Sequence, residues 1–216
     1  MDDIVIQGWD LSLNHAGVVE LTNGNLTNFW FISNKKSIAK SLGSNGILLN
    51  YEDSSDPHVL GINRLEAWQL LLDKFFSGVK LNYLAVEDYA FGQARGSYQM
   101  GEGGAVFRLT IRKNGILFRL IDPLSVKMYT ANHGLAKKDQ MEKAVLEKYG
   151  QDFSQYRKEV KEDLVDAFAI AKMCWMEYQL RTGLVSLSSL TENEIRVFNR
   201  TTKMFPINIL GRDWLR

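Results

Sequence analysis

Asn23-Gly24 is the strongest local constraint in this chain. The pair separates two β-rich runs, residues 15–21 and 26–32. Asn-Gly supplies the two positive-φ positions that a tight hairpin turn needs, so the runs should form an antiparallel hairpin. A third β-rich run, residues 4–9, precedes them and ends at Asp10. The N-terminal part therefore predicts a three-stranded antiparallel meander.

The rest of the chain changes period. Residues 33–60 are rich in Ser, Asn, Gly, Lys and Asp without a repeat, and are expected to be a long surface loop or insertion. Ile62, Leu65, Trp68, Leu72, Phe75 and Phe76 follow helical spacing. Residues 81–87 form a short apolar strand ending in Glu87 and Asp88. Residues 101–113 predict a helix, and 116–121 a strand halted at Asp122-Pro123. Further helices are expected over 125–129, 138–149 and 160–181, the last with an Ala-rich middle. Residues 182–216 show no regular pattern. The order β-β-β-α-β-α-β-α-α predicts an α/β fold, a mixed five-stranded sheet with helices on both faces. One domain over residues 1–181 with a C-terminal extension over 182–216 is the expected organisation.

Composition narrows the class. At 216 residues, 45% hydrophobic and 24% charged, the chain has enough material for one sizeable core. The single cysteine, Cys174, excludes an intrachain disulfide and a cysteine-built zinc site, and fits a reducing cytoplasm. No apolar run approaches the roughly 20 residues of a membrane helix. The N-terminal MDDIVIQGWD enters a strand directly and lacks the pattern of a signal peptide. A net charge of +1 is not that of a simple basic nucleic-acid-binding domain.

Four carboxylates stand out by position. Asp10 closes the first strand and Glu87 closes the fourth, so neighbouring strands would bring them together. Asp163 and Asp166 are three apart on one helix, hence on one face. The small apolar run after them, Ala167 to Ala171, suits close packing on a sheet. Each residue alone has an ordinary explanation as a turn, cap or helix-start acid. Like charges that converge usually hold a cation. Oxygen ligands without matching His or Cys favour Mg²⁺ or Mn²⁺ over zinc. Four carboxylates can hold two such ions about 3.5–4 Å apart and support two-metal phosphodiester hydrolysis.

At these residues the sequence resembles the RuvC-type Holliday-junction resolvases of the RNase H-like superfamily. IVIQGWDLSLNHAG is similar to the family's first strand and turn, YLAVEDYAF to its fourth strand, and DLVDAFAIAKMC to its final helix. PLSVKMYTANHGLAKKDQM resembles the segment between them. The resemblance covers roughly residues 4–176. It implies a structure-selective endonuclease for four-way or branched DNA. Asp10, Glu87, Asp163 and Asp166 would be both catalytic and metal-holding, with two Mg²⁺ (or Mn²⁺) ions. Lys127 and Lys138 fall on DNA-contacting positions; Lys137, Arg95 and Arg108 join them as candidate DNA contacts. Tyr89 and Phe91 would stack on an unpaired base at a junction. Resolvases of this type act as two-fold dimers, here through residues 101–114. The divergence suggests a phage or viral branch, acting in a bacterial or infected-host cytoplasm. The string Gly92 to Gly96 duplicates one found in bacterial members but falls too early after Glu87, and is taken as coincidence.

Two other classes compete. The same fold can cut RNA–DNA hybrids, flaps or other branches, a choice the sequence leaves open. An ATP-binding protein of the actin and sugar-kinase type shares the early strand and turn. It requires a second Asp-Gly phosphate loop, which is absent, and it leaves Asp163 and Asp166 without a role. A catalytically silent junction binder is disfavoured by the full set of four acids. A lone His133 in a lysine-flanked turn is a lesser candidate for acid–base work, and the basic tail residues Arg196, Arg200, Lys203, Arg212 and Arg216 with Trp214 would add DNA contacts or extend the dimer.

Overall fold

A computed structural model describes residues 2–88 and 97–199 of the chain. It opens with strands β1 (Val5–Leu11), β2 (His15–Thr22) and β3 (Asn25–Ser33), paired antiparallel in sequence order. The β2–β3 turn has φ 51° at Asn23 and 82° at Gly24, as the hairpin prediction requires. The turn is also pinned from outside. Lys172 Nζ donates to the Gly24 carbonyl at 2.6 Å, and a Cβ on Gly24 would strike the Trp175 indole.

Residues 33–60, expected as a long surface loop or insertion, contain regular structure. They hold helix α1 (Lys36–Ser41), a 3-10 turn at Gly43–Asn45 and strand β4 (Gly46–Leu48), which pairs in parallel with β3. The sheet therefore has six strands, not five. Elements this short carry too few residues to show a period. Gly46 is required because a Cβ there would collide with the Ala39 carbonyl.

Helix α2 (Pro57–Phe76) then crosses to strand β5 (Tyr83–Glu87), which pairs in parallel with β1. Asp56 caps α2, accepting from His58 N at 2.8 Å and Val59 N at 3.4 Å, with Pro57 inside the first turn. Helix α3 (Ser97–Lys113) leads to β6 (Leu117–Ile121), parallel to β5. The order across the sheet is β4-β3-β2-β1-β5-β6. Helices α4 (Pro123–Ala131), α5 (Lys138–Tyr149), α6 (Lys158–Arg181) and α7 (Glu192–Asn199) follow among the described residues.

Two hydrophobic cores lie on the two faces of the sheet. Trp9, Val18, Leu84 and Val86 meet Trp68, Leu72, Phe107 and Ile111 of α2 and α3. Ile6, Val19, Leu21 and Ala85 meet α4, α5 and α6 on the other face. Half of the 24 residues of α6 are buried, because the helix is enclosed by the sheet and by its helical neighbours. Val197 and Phe198 of α7 join the same core, Phe198 lying 5.8 Å edge-on from Tyr129.

Deep in this core, Arg119 of β6 and Glu177 of α6 form an ion pair at 2.6 Å, each side chain 1% exposed. A second bond from Arg119 Nε at 3.2 Å and one from Arg181 Nε at 2.7 Å complete the carboxylate's coordination. The pair fixes the C-terminal half of α6 to the sheet. Among the described residues no helix is long and apolar enough to cross a membrane.

Candidate active site

Strand register sets the site. Trp9 of β1 is level with Val86 of β5, so Asp10 and Glu87 follow side by side at the same end of two parallel strands. Alternate residues of a strand face opposite sides. Trp9 and Val86 point into the α2–α3 core, so Asp10 and Glu87 face α6. Their end of the sheet is the carboxyl end of the parallel strands, where α/β sheets commonly open a binding crevice.

Helix α6 reaches that end because the strands beneath it carry glycine. A Cβ on Gly8 would collide with backbone atoms of Ala167 and Ala171. Gly17 of β2 lies opposite Asp10, and a Cβ there would fall 2.5 Å from the Asp163 carbonyl oxygen. The first turns of α6 thus rest on the sheet beside Asp10 and bring Asp163 and Asp166 to it.

The four carboxylates share one field. Burial pushes the Asp10 carboxyl well above the usual carboxylate range, and the charges of Glu87, Asp163 and Asp166 push it further, against the pull of Lys138. Glu87 is raised to about 7 by burial and then by Asp166, opposed by Lys138 and Lys127. Asp122 adds a smaller upward push on Glu87. Asp166 is also raised, because burial outweighs the charge and hydrogen bond of Lys138. Burial alone would pull the Lys138 ammonium down, yet the charge and hydrogen bond of Asp166 leave it raised.

Among the described residues, two of the four acids have hydrogen-bond partners. Lys138 Nζ donates to Asp166 Oδ2. His15 Nδ1 lies 2.5 Å from Asp163 Oδ2. As the side chains stand, no three Asp, Glu, His or Cys residues among those described form a group tight enough to hold a metal ion. The donor chemistry nevertheless fits one. Asp166 Oδ1 is buried without a hydrogen-bond partner among the described residues, and a buried carboxylate oxygen in that condition is costly unless a cation or donor reaches it.

The candidate DNA contacts divide. Lys138 bonds within the carboxylate group, and Lys127 of α4 is half-buried and acts on Glu87 and Asp166 through its charge. Lys137 and His133 are exposed. Arg108 sits on α3, across the sheet from α6, its Nε donating to the Gly104 carbonyl at 3.1 Å. Arg95, Tyr89 and Phe91, and the tail residues from Arg200 onward, lie outside the described residues. His15 was not singled out from the sequence. The available signal was its place on β2, two residues before Gly17 and on the same face.

No protein-family model matches the chain, and no curated protein matches it in sequence. Solved structures do match. Thermus thermophilus RuvC superposes with a TM-score of 0.56 at 18% identity, over 83% of this chain and 97% of that one. T. thermophilus RuvC in complex with a Holliday junction substrate superposes at 0.57, again at 18% identity, over 83% and 96% of the two chains. The fold is RNase H-like. These RuvC structures share that fold.

Proposed function

We propose that this chain is a divalent-metal-dependent endonuclease that cuts branched DNA, with Asp10, Glu87, Asp163 and Asp166 as its metal-holding and catalytic residues. One observation carries the proposal: Asp10 and Glu87 lie side by side near the carboxyl ends of adjacent parallel strands beneath the start of α6, Asp10 in the field of Asp163 and Asp166 and Glu87 in that of Asp166. Such a mutually repelling set is well suited to hard cations that prefer oxygen. Two Mg²⁺ or Mn²⁺ ions there would supply the positive charge for in-line attack of water on phosphorus and for the departing 3′ oxygen. The products would be 5′-phosphate and 3′-hydroxyl ends.

The chain's own groups have distinct tasks in this scheme. Asp10 and Glu87 provide rigid carboxylates, because both are anchored in the sheet. Asp166 offers its unpartnered Oδ1. Lys138, which balances Asp166 in the absence of other cations, would turn to a phosphate oxygen, with Lys127 and Lys137 beside it. The likeness to T. thermophilus RuvC, solved in complex with a Holliday junction substrate, supports branched DNA as the substrate. A four-way junction is two-fold symmetric in its paired cuts, so the working form would be a homodimer, joined through α3. Its DNA substrate would place it in a bacterial or phage-infected cytoplasm.

The test is a cleavage panel of four-way junction, fork, flap and RNA–DNA hybrid, with and without Mg²⁺. Metal-dependent nicking of the junction is expected, reduced to background by Asp10→Asn and by Glu87→Gln. Full activity in either variant refutes the role of that residue. Cleavage of the hybrid alone would move the substrate from branched DNA to RNA.

A further inference from the structure

His15 is the first residue of β2 and points toward α6. Its Nδ1 lies 2.5 Å from Asp163 Oδ2, joining residues 148 positions apart. An ionised carboxylate can only accept, so Nδ1 is the donor. The imidazole is itself held, stacked on Phe31 with centroids 6.0 Å apart and planes 18° apart. Its side chain is 40% exposed while that of Asp163 is 13% exposed, so the contact lies at the rim of the carboxylate group rather than in the core.

Asp163 stands in the field of Asp10 and Asp166. Without a donor its carboxylate would rotate about χ2 and lean away from those charges. The His15 bond engages one oxygen, fixes the plane of the carboxylate and leaves the other oxygen for an ion. This differs from the contact between Lys138 and Asp166. An ammonium competes with an incoming cation, whereas an imidazole N–H can keep donating after the cation arrives.

We infer that His15 is a positioning residue that orients Asp163 for a divalent ion, an inference that rests on the metal-dependent activity proposed above. Hydrogen-bond partners behind metal ligands typically change metal affinity 10–100-fold. Gly17 serves the same end through the backbone, by letting the Asp163 peptide approach β2 closely.

The experiment is calorimetric titration of Mn²⁺ into the full chain, for the parent, His15→Phe and His15→Asn, with thermal unfolding of each in chelator. Phe keeps a ring against Phe31 but has no donor. Asn places an amide N–H near the position of Nδ1. His15→Phe is expected to weaken Mn²⁺ affinity about 10–100-fold, and His15→Asn to stay within about threefold of the parent. Unchanged affinity in His15→Phe would overturn the role of His15 while leaving the metal site intact. Equal losses in both variants would also overturn it, since the donor would not be the cause. Failure of the parent to bind Mn²⁺ would sink both this inference and the proposed function.

Discussion

Replacing Glu87 by Gln tests the electrostatics of the carboxylate group without any substrate. Burial and the Asp166 charge, against Lys138 and Lys127, lift the Glu87 carboxyl from 4.5 to about 7. A raised carboxyl holds its proton more tightly in the folded chain than in the unfolded one. Folding is therefore penalised once the group ionises. The penalty is absent below 4.5, grows as pH rises toward 7 and is complete above it. At about 1.36 kcal/mol per pH unit, the gap is worth about 3 kcal/mol. Gln has the same shape and no charge to penalise. In chelator, Glu87→Gln should match the parent at about pH 4 and exceed its stability by roughly 2–3 kcal/mol at about pH 8.5. Urea unfolding followed by tryptophan fluorescence reads both values. Mg²⁺ at about a hundredfold its dissociation constant should return about 2.7 kcal/mol to the parent and little to the variant. A stability difference that does not change with pH, or a variant weaker than the parent at alkaline pH without metal, would refute the reasoning.

Two further outcomes concern how α6 is held. Glu177→Leu leaves Arg119 charged and buried, and should cost about 3–5 kcal/mol in urea unfolding, while adding Arg119→Met should recover most of it. Gly8→Val drives a side chain into the backbone of Ala167 and Ala171, and should cost about 3 kcal/mol or leave the chain insoluble, as read by soluble yield and thermal unfolding.

The sequence announces elements that carry a period or a marked turn. The Asn23-Gly24 hairpin, helix α5 and most of α6 lie where their patterns put them, because each is long or chemically punctuated. β4 and α1 escaped because three and six residues, respectively, hold too little periodicity to register. α7 has strong amphipathic character but only eight residues, following an irregular stretch. The side-by-side position of Asp10 and Glu87 needed only the assumption that β1 and β5 are neighbours. Two contacts could not be read at all. His15 meets Asp163, and Lys138 meets Asp166, across separations of 148 and 28 residues. Such pairings depend on how closely α6 approaches the sheet, and the glycines that set the distance are visible in the sequence only as gaps in β-rich runs.

The placement of these acids is costly to the fold on its own terms. Three of the four carboxyls have raised proton affinity, with burial the first cause in each. A fold shaped by stability alone would put neutral or apolar side chains on those strand ends. Around them, by contrast, the structure is closely packed and bonded. Gly8 and Gly17 admit α6 to close contact, the buried Arg119–Glu177 pair holds its far half, and His15 and Lys138 engage its two acids. Like charges held close by the fold are what a preorganised cation site would require. Under the proposed function the acids would be held together before an ion arrives, and relief of the repulsion among them would add to its binding. Loosening the frame while keeping all four acids should therefore lower metal affinity as surely as removing one of them.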